Sequence, residues 1–202
     1  MDLKKYLKES LTESAQNIQN LSQNDEVQAK IVQAAEWIIE SYKNKGCLFT
    51  AGNGGSAADA QHIAAEMVGK LAKDRNSLAA YAMTVDSSLL TAVGNDYGYD
   101  FIFSRQVQGL VQSKDIFLGL TTSGNSANLL KAFEQCRKQK VKTILLTGKD
   151  GGTAGREKSA DLIILAPGNH TAEIQEAHIA IYHTICFMVE KSLIESGHIQ
   201  YV

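Results

Sequence analysis

The 202-residue chain has one proline, three cysteines, no long apolar run and a formal net charge of only -2. Each shortage removes a class of protein. A lone Pro167, with no internal repeat or low-complexity tract, leaves no proline-rich linker, so one domain spanning 1–202 is expected. Cys47, Cys136 and Cys186 are odd in number, far apart and outside any C-x-x-C spacing, which argues against a disulfide framework and against a cysteine-based zinc site. A reducing cytoplasm fits that usage. No stretch approaches the roughly 18 consecutive apolar residues a membrane span needs, and the opening "MDLKKYLKES" has no apolar leader core, so neither a membrane partner nor export is expected. The near-neutral charge supplies no general attraction for nucleic acid. Any anion bound by this chain must be held by local geometry.

What is present is the composition of a folded domain, 44% hydrophobic and 21% charged, with a marked change of pattern near residue 46. Before it, Leu3, Leu7, Leu11, Ile18 and Leu21 recur at helical spacing, and "DEVQAKIVQAAEWIIESYKNKG" repeats the pattern up to a stop at Gly46. Residues 1–45 therefore read as a helical pair, and its spare apolar stripe is expected to serve oligomerisation. After it come five short apolar runs, each followed by a turn signal and a helical segment: "CLFTAGNGG", "LAAYAMTVD", "DIFLGLTTSGN", "KTILLTGKDGG" and "DLIILAPGN". Strands apolar on both faces and separated by helices predict a five-stranded parallel sheet in a three-layer αβα sandwich, an α/β fold. A last long helix is expected from "TAEIQEAHIAIYHTICFMVEKSL", with Thr171 as its N-cap.

In such a sheet ligands bind beyond the carboxyl ends of the strands. The loop "GNGGS" offers backbone N–H groups at Gly52, Gly54 and Gly55, with Ser56 expected to cap the next helix. The loop "TTSGNS" adds the hydroxyls of Thr121, Thr122, Ser123 and Ser126. Hydroxyls and bare amides without a lysine clamp suit a monophosphate. Neither G-x-G-x-x-G nor a P-loop is present, so no nucleotide is expected. "TGKDGG", after the fourth run, is a third small-residue loop or a plain turn.

His62 and Glu66 are four residues apart and share one side of the helix that the first loop opens. Gln175, His178 and His183 interrupt an otherwise apolar last helix that includes Ile174, Ile179, Ile181 and Ile185, so some of these polar groups are expected to converge on a buried site. His62, Glu66, Gln175 and His183 suit either of two chemistries. They could hold a divalent metal in four-coordinate N/O geometry, with zinc the first choice. Alternatively, a carboxylate and an imidazole on opposite sides of a bound sugar could move protons between adjacent carbons and oxygens without a metal.

Taken together, "AGNGGSAADAQHIAAEMVGK", "VGNDYGYDFIFSRQV", "LGLTTSGNSANLLKA", "LTGKDGG" and "IQEAHIAIYHTI" resemble the phosphoheptose isomerases of the sugar isomerase (SIS) fold over nearly the whole chain. The resemblance implies isomerisation of sedoheptulose 7-phosphate to D-glycero-D-manno-heptose 7-phosphate through an enediol, for bacterial lipopolysaccharide core or capsule. It implies Glu66 as the catalytic base and His183 as its acid partner. It also implies phosphate contacts from Ser56, Thr121, Thr122, Ser123 and Ser126 with the Gly54 and Gly55 backbone, and sugar contacts from Asn53, Asn95, Asp96 and Gln175. One zinc ion per subunit on His62, Glu66, Gln175 and His183 is implied too, as is a homotetramer with active sites at subunit interfaces. Two positions depart from the family pattern: Thr121 replaces a serine but keeps the hydroxyl, and Glu173 stands where an arginine is common. The rivals are a non-catalytic SIS module that binds the replication initiator, and an isomerase of another sugar phosphate such as arabinose 5-phosphate. Retention of all four of His62, Glu66, Gln175 and His183 favours the heptose isomerase over both.

Overall fold

A computed structural model describes residues 1–202. The two N-terminal helical runs become α1 (Leu3–Ser22) and α2 (Asp25–Lys43), each opened by an acidic or amide N-cap: Asp2 accepts from the Lys4 and Lys5 amides, Asn24 from Val27. The alternating part follows as β1 (Leu48–Gly52), α3 (Gly55–Val68), β2 (Ala80–Ala82), α4 (Ser87–Asp96), α5 (Ser104–Leu110), β3 (Ile116–Thr121), α6 (Ala127–Gln139), β4 (Lys142–Gly148), α7 (Gly152–Arg156), β5 (Leu162–Ala166) and α8 (Thr171–Glu195). The five strands are all parallel, in the order β2-β1-β3-β4-β5. The chain steps outward from β1 to β2, then returns to the other side of β1 as β3. That reversal opens a crevice between the β1 and β3 loops.

Alternate residues of each strand feed two cores. Ile116, Leu118 and Leu120 of β3 point into one with α2, α3 and α8, whereas Phe117 joins α5 and α6 on the opposite face. Helices therefore cover both faces, as the doubly apolar strands predict. β2 is shorter than its apolar run. It lies at the sheet edge and has only β1 to pair with. By contrast α1 has no buried residue at all, and Leu3, Leu7 and Leu11 are more than half exposed.

The last helix differs from expectation in two respects. Its N-cap is His170 rather than Thr171, which is already helical; the Glu173 carboxylate reaches back to the amides of Asn169 (2.8 Å) and His170 (3.4 Å) and to the side chain of Asn17 in α1 (3.4 Å). These donors hold the Glu173 carboxyl below its ordinary pKa, the Asn169 amide first. A carboxylate at this position therefore closes the helix start, which accounts for Glu173 where an arginine was expected.

The second difference is His178, which enters the core instead of the site. It is fully buried, neither ring nitrogen has a hydrogen-bond partner, and the buried Thr147 hydroxyl is likewise unpaired. Desolvation pulls its pKa down to about 4, with the nearby Thr147 backbone opposing. Between that value and an unfolded value near 6.5 only the unfolded chain takes the proton. The contribution to stability is thus complete above pH 6.5 and is lost as pH falls toward 4. From pH 7 to pH 5 this one group is expected to cost about 2 kcal/mol. Urea unfolding of wild type and His178→Leu at both pH values measures it: the pH-dependent loss should shrink by that amount in the variant, and equal losses would remove His178 as the cause.

Candidate active site

The loop after β1 turns on Gly54, whose φ of 57° lies in the left-handed region, and it is Gly54 that occupies the N-cap of α3. Ser56 is therefore not the cap. It is the second residue inside the helix, buried, with no side-chain capping bond at this terminus. Asn53 faces the crevice and is fixed by a reciprocal amide pair with Asn128 of α6 (2.9 and 2.8 Å) and by the Tyr99 hydroxyl (2.9 Å). One amide hydrogen of Asn53 remains for a ligand.

The loop after β3 carries the four hydroxyls. Thr121 and Ser126 pair with each other at 3.0 Å, so Ser126, although at the N-cap of α6, makes no capping bond; Ser123 Oγ accepts only the amide of Asn125. "TGKDGG" proves to be a buttress for this loop. Ala154 N–H donates to the Gly124 carbonyl, and Asn125 Oδ1 accepts from both the amide and hydroxyl of Thr153 at 2.9 Å. A Cβ on Gly124 would fall 1.8 Å from the Gly151 carbonyl oxygen, so no other residue permits this approach.

Farther along α3, the helical spacing brings His62 Nε2 to 3.0 Å from Glu66 Oε1. From α8, His183 Nε2 reaches His62 Nε2 at 3.4 Å, and the three donor atoms lie within 4.8 Å of one another. Two imidazoles and a carboxylate at this spacing match one small divalent cation, whose tetrahedral ligands at about 2.1 Å stand roughly 3.4 Å apart. The donors fit the group. The same spacing corrects one expectation: Glu66 and His183 cannot flank a sugar carbon from opposite sides within one chain, because van der Waals contact on both sides needs roughly 6–7 Å.

Gln175 makes no hydrogen bond to this trio. Its Nε2 donates to Asp59 Oδ2 at 3.1 Å and its amide lies against Gly55, leaving Oε1 free to accept or ligate. Asn95 and Asp96 bond to each other (2.8 Å) at the exposed end of α4, with no bond to the other candidate residues.

Four residues that serve the site were not anticipated. Asp59, one turn before His62, is buried, and desolvation raises its pKa against the opposing pull of Gln175 and His62. Its i, i+3 spacing to His62 was the readable signal. Asn128 and Tyr99 had none. Arg75 lies in the segment after α3, and its guanidinium donates to the carbonyls of Glu66 (2.7 Å), Met67 and Asn76 (both 2.9 Å) and to Glu190 Oε2 of α8 (2.7 Å). The buried pair thus ties the end of α3, where Glu66 sits, to α8.

Comparison with known proteins agrees with this geometry. Residues 6–148 match the family model described as the SIS domain. The phosphoheptose isomerase of Sulfurimonas denitrificans is 45% identical over 195 residues, 96% of this chain and 99% of that protein. Two solved structures share the fold along their whole lengths. A phosphoheptose isomerase from Neisseria gonorrhoeae superposes with a TM-score of 0.86 at 39% identity, covering 94% of this chain and 99% of that one. One from Francisella tularensis gives 0.88 at 32% identity, covering 95% and 100%. With the sheet order, the two hydroxyl- and glycine-rich loops and the His-Glu-His cluster in place, these likenesses establish that the chain belongs to the SIS domain family and, within it, to the phosphoheptose isomerases.

Proposed function

We infer that this chain interconverts sedoheptulose 7-phosphate and D-glycero-D-manno-heptose 7-phosphate, a ketose-aldose isomerisation in bacterial heptose biosynthesis. The observation that carries the reading is the convergence of Glu66, His62 and His183 in a family member whose β1 and β3 loops are built for a phosphate. The phosphate is assigned to the amides of Gly54 and Gly55 and the hydroxyls of Ser56, Thr121, Thr122, Ser123 and Ser126, with Asn53 turning its free amide hydrogen to the sugar. Asn95, Asp96 and Gln175 are assigned to the sugar hydroxyls.

Glu66 then takes a proton from C1 of the ketose and, after the carboxyl hydrogen exchanges with solvent, delivers one to C2 on the same face, while His183 accepts the O1 hydroxyl proton and delivers it to O2. Atoms balance: C1 and O1 each lose one hydrogen, C2 and O2 each gain one. Reacting carbons and oxygens lie within about 2.5 Å of each other, so two groups approaching from one side can serve both, each contributing roughly 10²- to 10⁴-fold. In the other chemistry that the quartet suits, His62, Glu66 and His183, with Oε1 of Gln175 as a fourth donor, would hold one zinc ion per subunit, and a His183 lone pair given to the ion is then not free to take the O1 proton. When bound, the ion supplies a Lewis acid that polarises the carbonyl.

The exposed apolar stripe of α1, including Leu3, Tyr6, Leu7, Leu11 and Ile18, supports the proposed homotetramer, with active sites near the subunit interfaces. No helix is long and apolar enough to cross a membrane. A cytoplasmic location and a product destined for lipopolysaccharide core or capsule belong to the same proposal.

Incubation with sedoheptulose 7-phosphate in deuterated water, followed by NMR of the sugar, tests the reaction. An aldose bearing deuterium at C2 is the expected result. No aldose at all would reject the isomerase reading.

A further inference from the structure

Tyr182 precedes His183 on α8 and is 1% exposed. Its hydroxyl lies 2.9 Å from His62 Nδ1, the nitrogen facing away from Glu66 and His183. Its ring stands edge-on to both imidazoles, 5.5 Å from His62 and 4.8 Å from His183. In a neutral His62 imidazole one ring nitrogen donates and the other accepts, and the protons along this chain of contacts then follow from donor and acceptor capacity. A carboxylate only accepts, so His62 Nε2 must carry the hydrogen it shares with Glu66. Nδ1 is then the acceptor, and the phenol donates to it. A cation on Nε2 reverses this arrangement, because the lone pair must sit there and the hydrogen moves to Nδ1. A phenol oxygen both donates and accepts, so it can pair with His62 in either state. A carboxylate at the same place would favour only the second state, and an apolar side chain would pair with neither.

We propose that Tyr182 is a positioning residue that fixes the ring orientation of His62 through Nδ1, donating to that nitrogen in the metal-free cluster and accepting from it when a divalent cation takes Nε2. The cation half rests on reading His62, Glu66 and His183 as a metal site; the metal-free half does not. Groups that support a metal-bound histidine through its second nitrogen typically contribute 10- to 100-fold in metal affinity.

The test uses the full-length protein and Tyr182→Phe, which keeps the ring and its volume. In metal-free wild type, nitrogen-15 NMR is expected to find His62 as the Nε2–H tautomer; an Nδ1–H tautomer there overturns the proposal without any variant. In Tyr182→Phe the Nε2–H tautomer should persist, held by Glu66, while the Nδ1 shift moves as that nitrogen loses its hydrogen bond; an unchanged Nδ1 shift overturns the proposal. Competition with a chromophoric chelator for Zn²⁺ should show the variant binding 10- to 100-fold more weakly than wild type. Equal affinities reject the donor-to-acceptor exchange. If wild type takes up no Zn²⁺, the metal reading fails separately, and the nitrogen shifts alone decide the role of Tyr182.

Discussion

Glu66→Gln is expected to lower kcat by roughly 10²- to 10⁴-fold while leaving the fold and KM for the phosphorylated sugar close to wild type. Glutamine keeps the length of the side chain and an oxygen that can still accept from His62 Nε2, 3.0 Å away from the carboxylate it replaces. What it loses is the negative charge that can take a proton from carbon. Substrate affinity should survive because the phosphate is assigned to loops at the opposite end of α3, far from position 66. Steady-state kinetics together with far-UV circular dichroism checks this, and turnover within a few-fold of wild type would take the base role away from Glu66. The same exchange weakens a cation ligand, so the Zn²⁺ content of the variant is compared with wild type: equal content with lost turnover assigns the loss to proton transfer.

The largest effect on stability is expected at Arg75. Its side chain and that of Glu190 are 1% and 4% exposed, and they meet at 2.7 Å. Arg75→Met would strand the Glu190 carboxylate in the interior and leave the carbonyls of Glu66, Met67 and Asn76 without the donor they share. Breaking one side of a buried pair costs about 3–5 kcal/mol, which for a chain of this size lowers Tm by roughly 6–20 °C. Removing both charges in Arg75→Met/Glu190→Leu should recover much of the loss, since the penalty comes chiefly from the unpaired charge. Thermal unfolding of the three proteins decides it. A single variant within about 1 kcal/mol of wild type would mean that water reaches and solvates Glu190. Activity should fall with Arg75→Met even where the protein remains folded, because the guanidinium holds the Glu66 carbonyl.

The parts of this protein legible before folding are those that depend on local periodicity. Doubly apolar runs separated by helical segments specify a covered parallel sheet, and a four-residue interval on a helix puts His62 beside Glu66 whatever surrounds it. The glycine and hydroxyl loops could be placed at strand ends for the same reason. Capping was less legible: Ser56 and Thr171 are good N-cap types, yet the turn at Gly54 and the reach of Glu173 start both helices one or two residues earlier than those side chains require.

The sequence alone determined the layer order of the fold, the helix that carries the carboxylate and imidazole, and the loops suited to a phosphate, because each follows from spacing within one element. Tertiary structure alone decided that Tyr182 closes on His62, that His178 turns into the core, and that Arg75 reaches Glu190. Those pairings join α3 and the segment after it to residues more than one hundred positions away or bury one face of α8 rather than another. The helices' seating on the sheet sets them, and that seating is a property of the whole packed core, absent from any single stretch of residues.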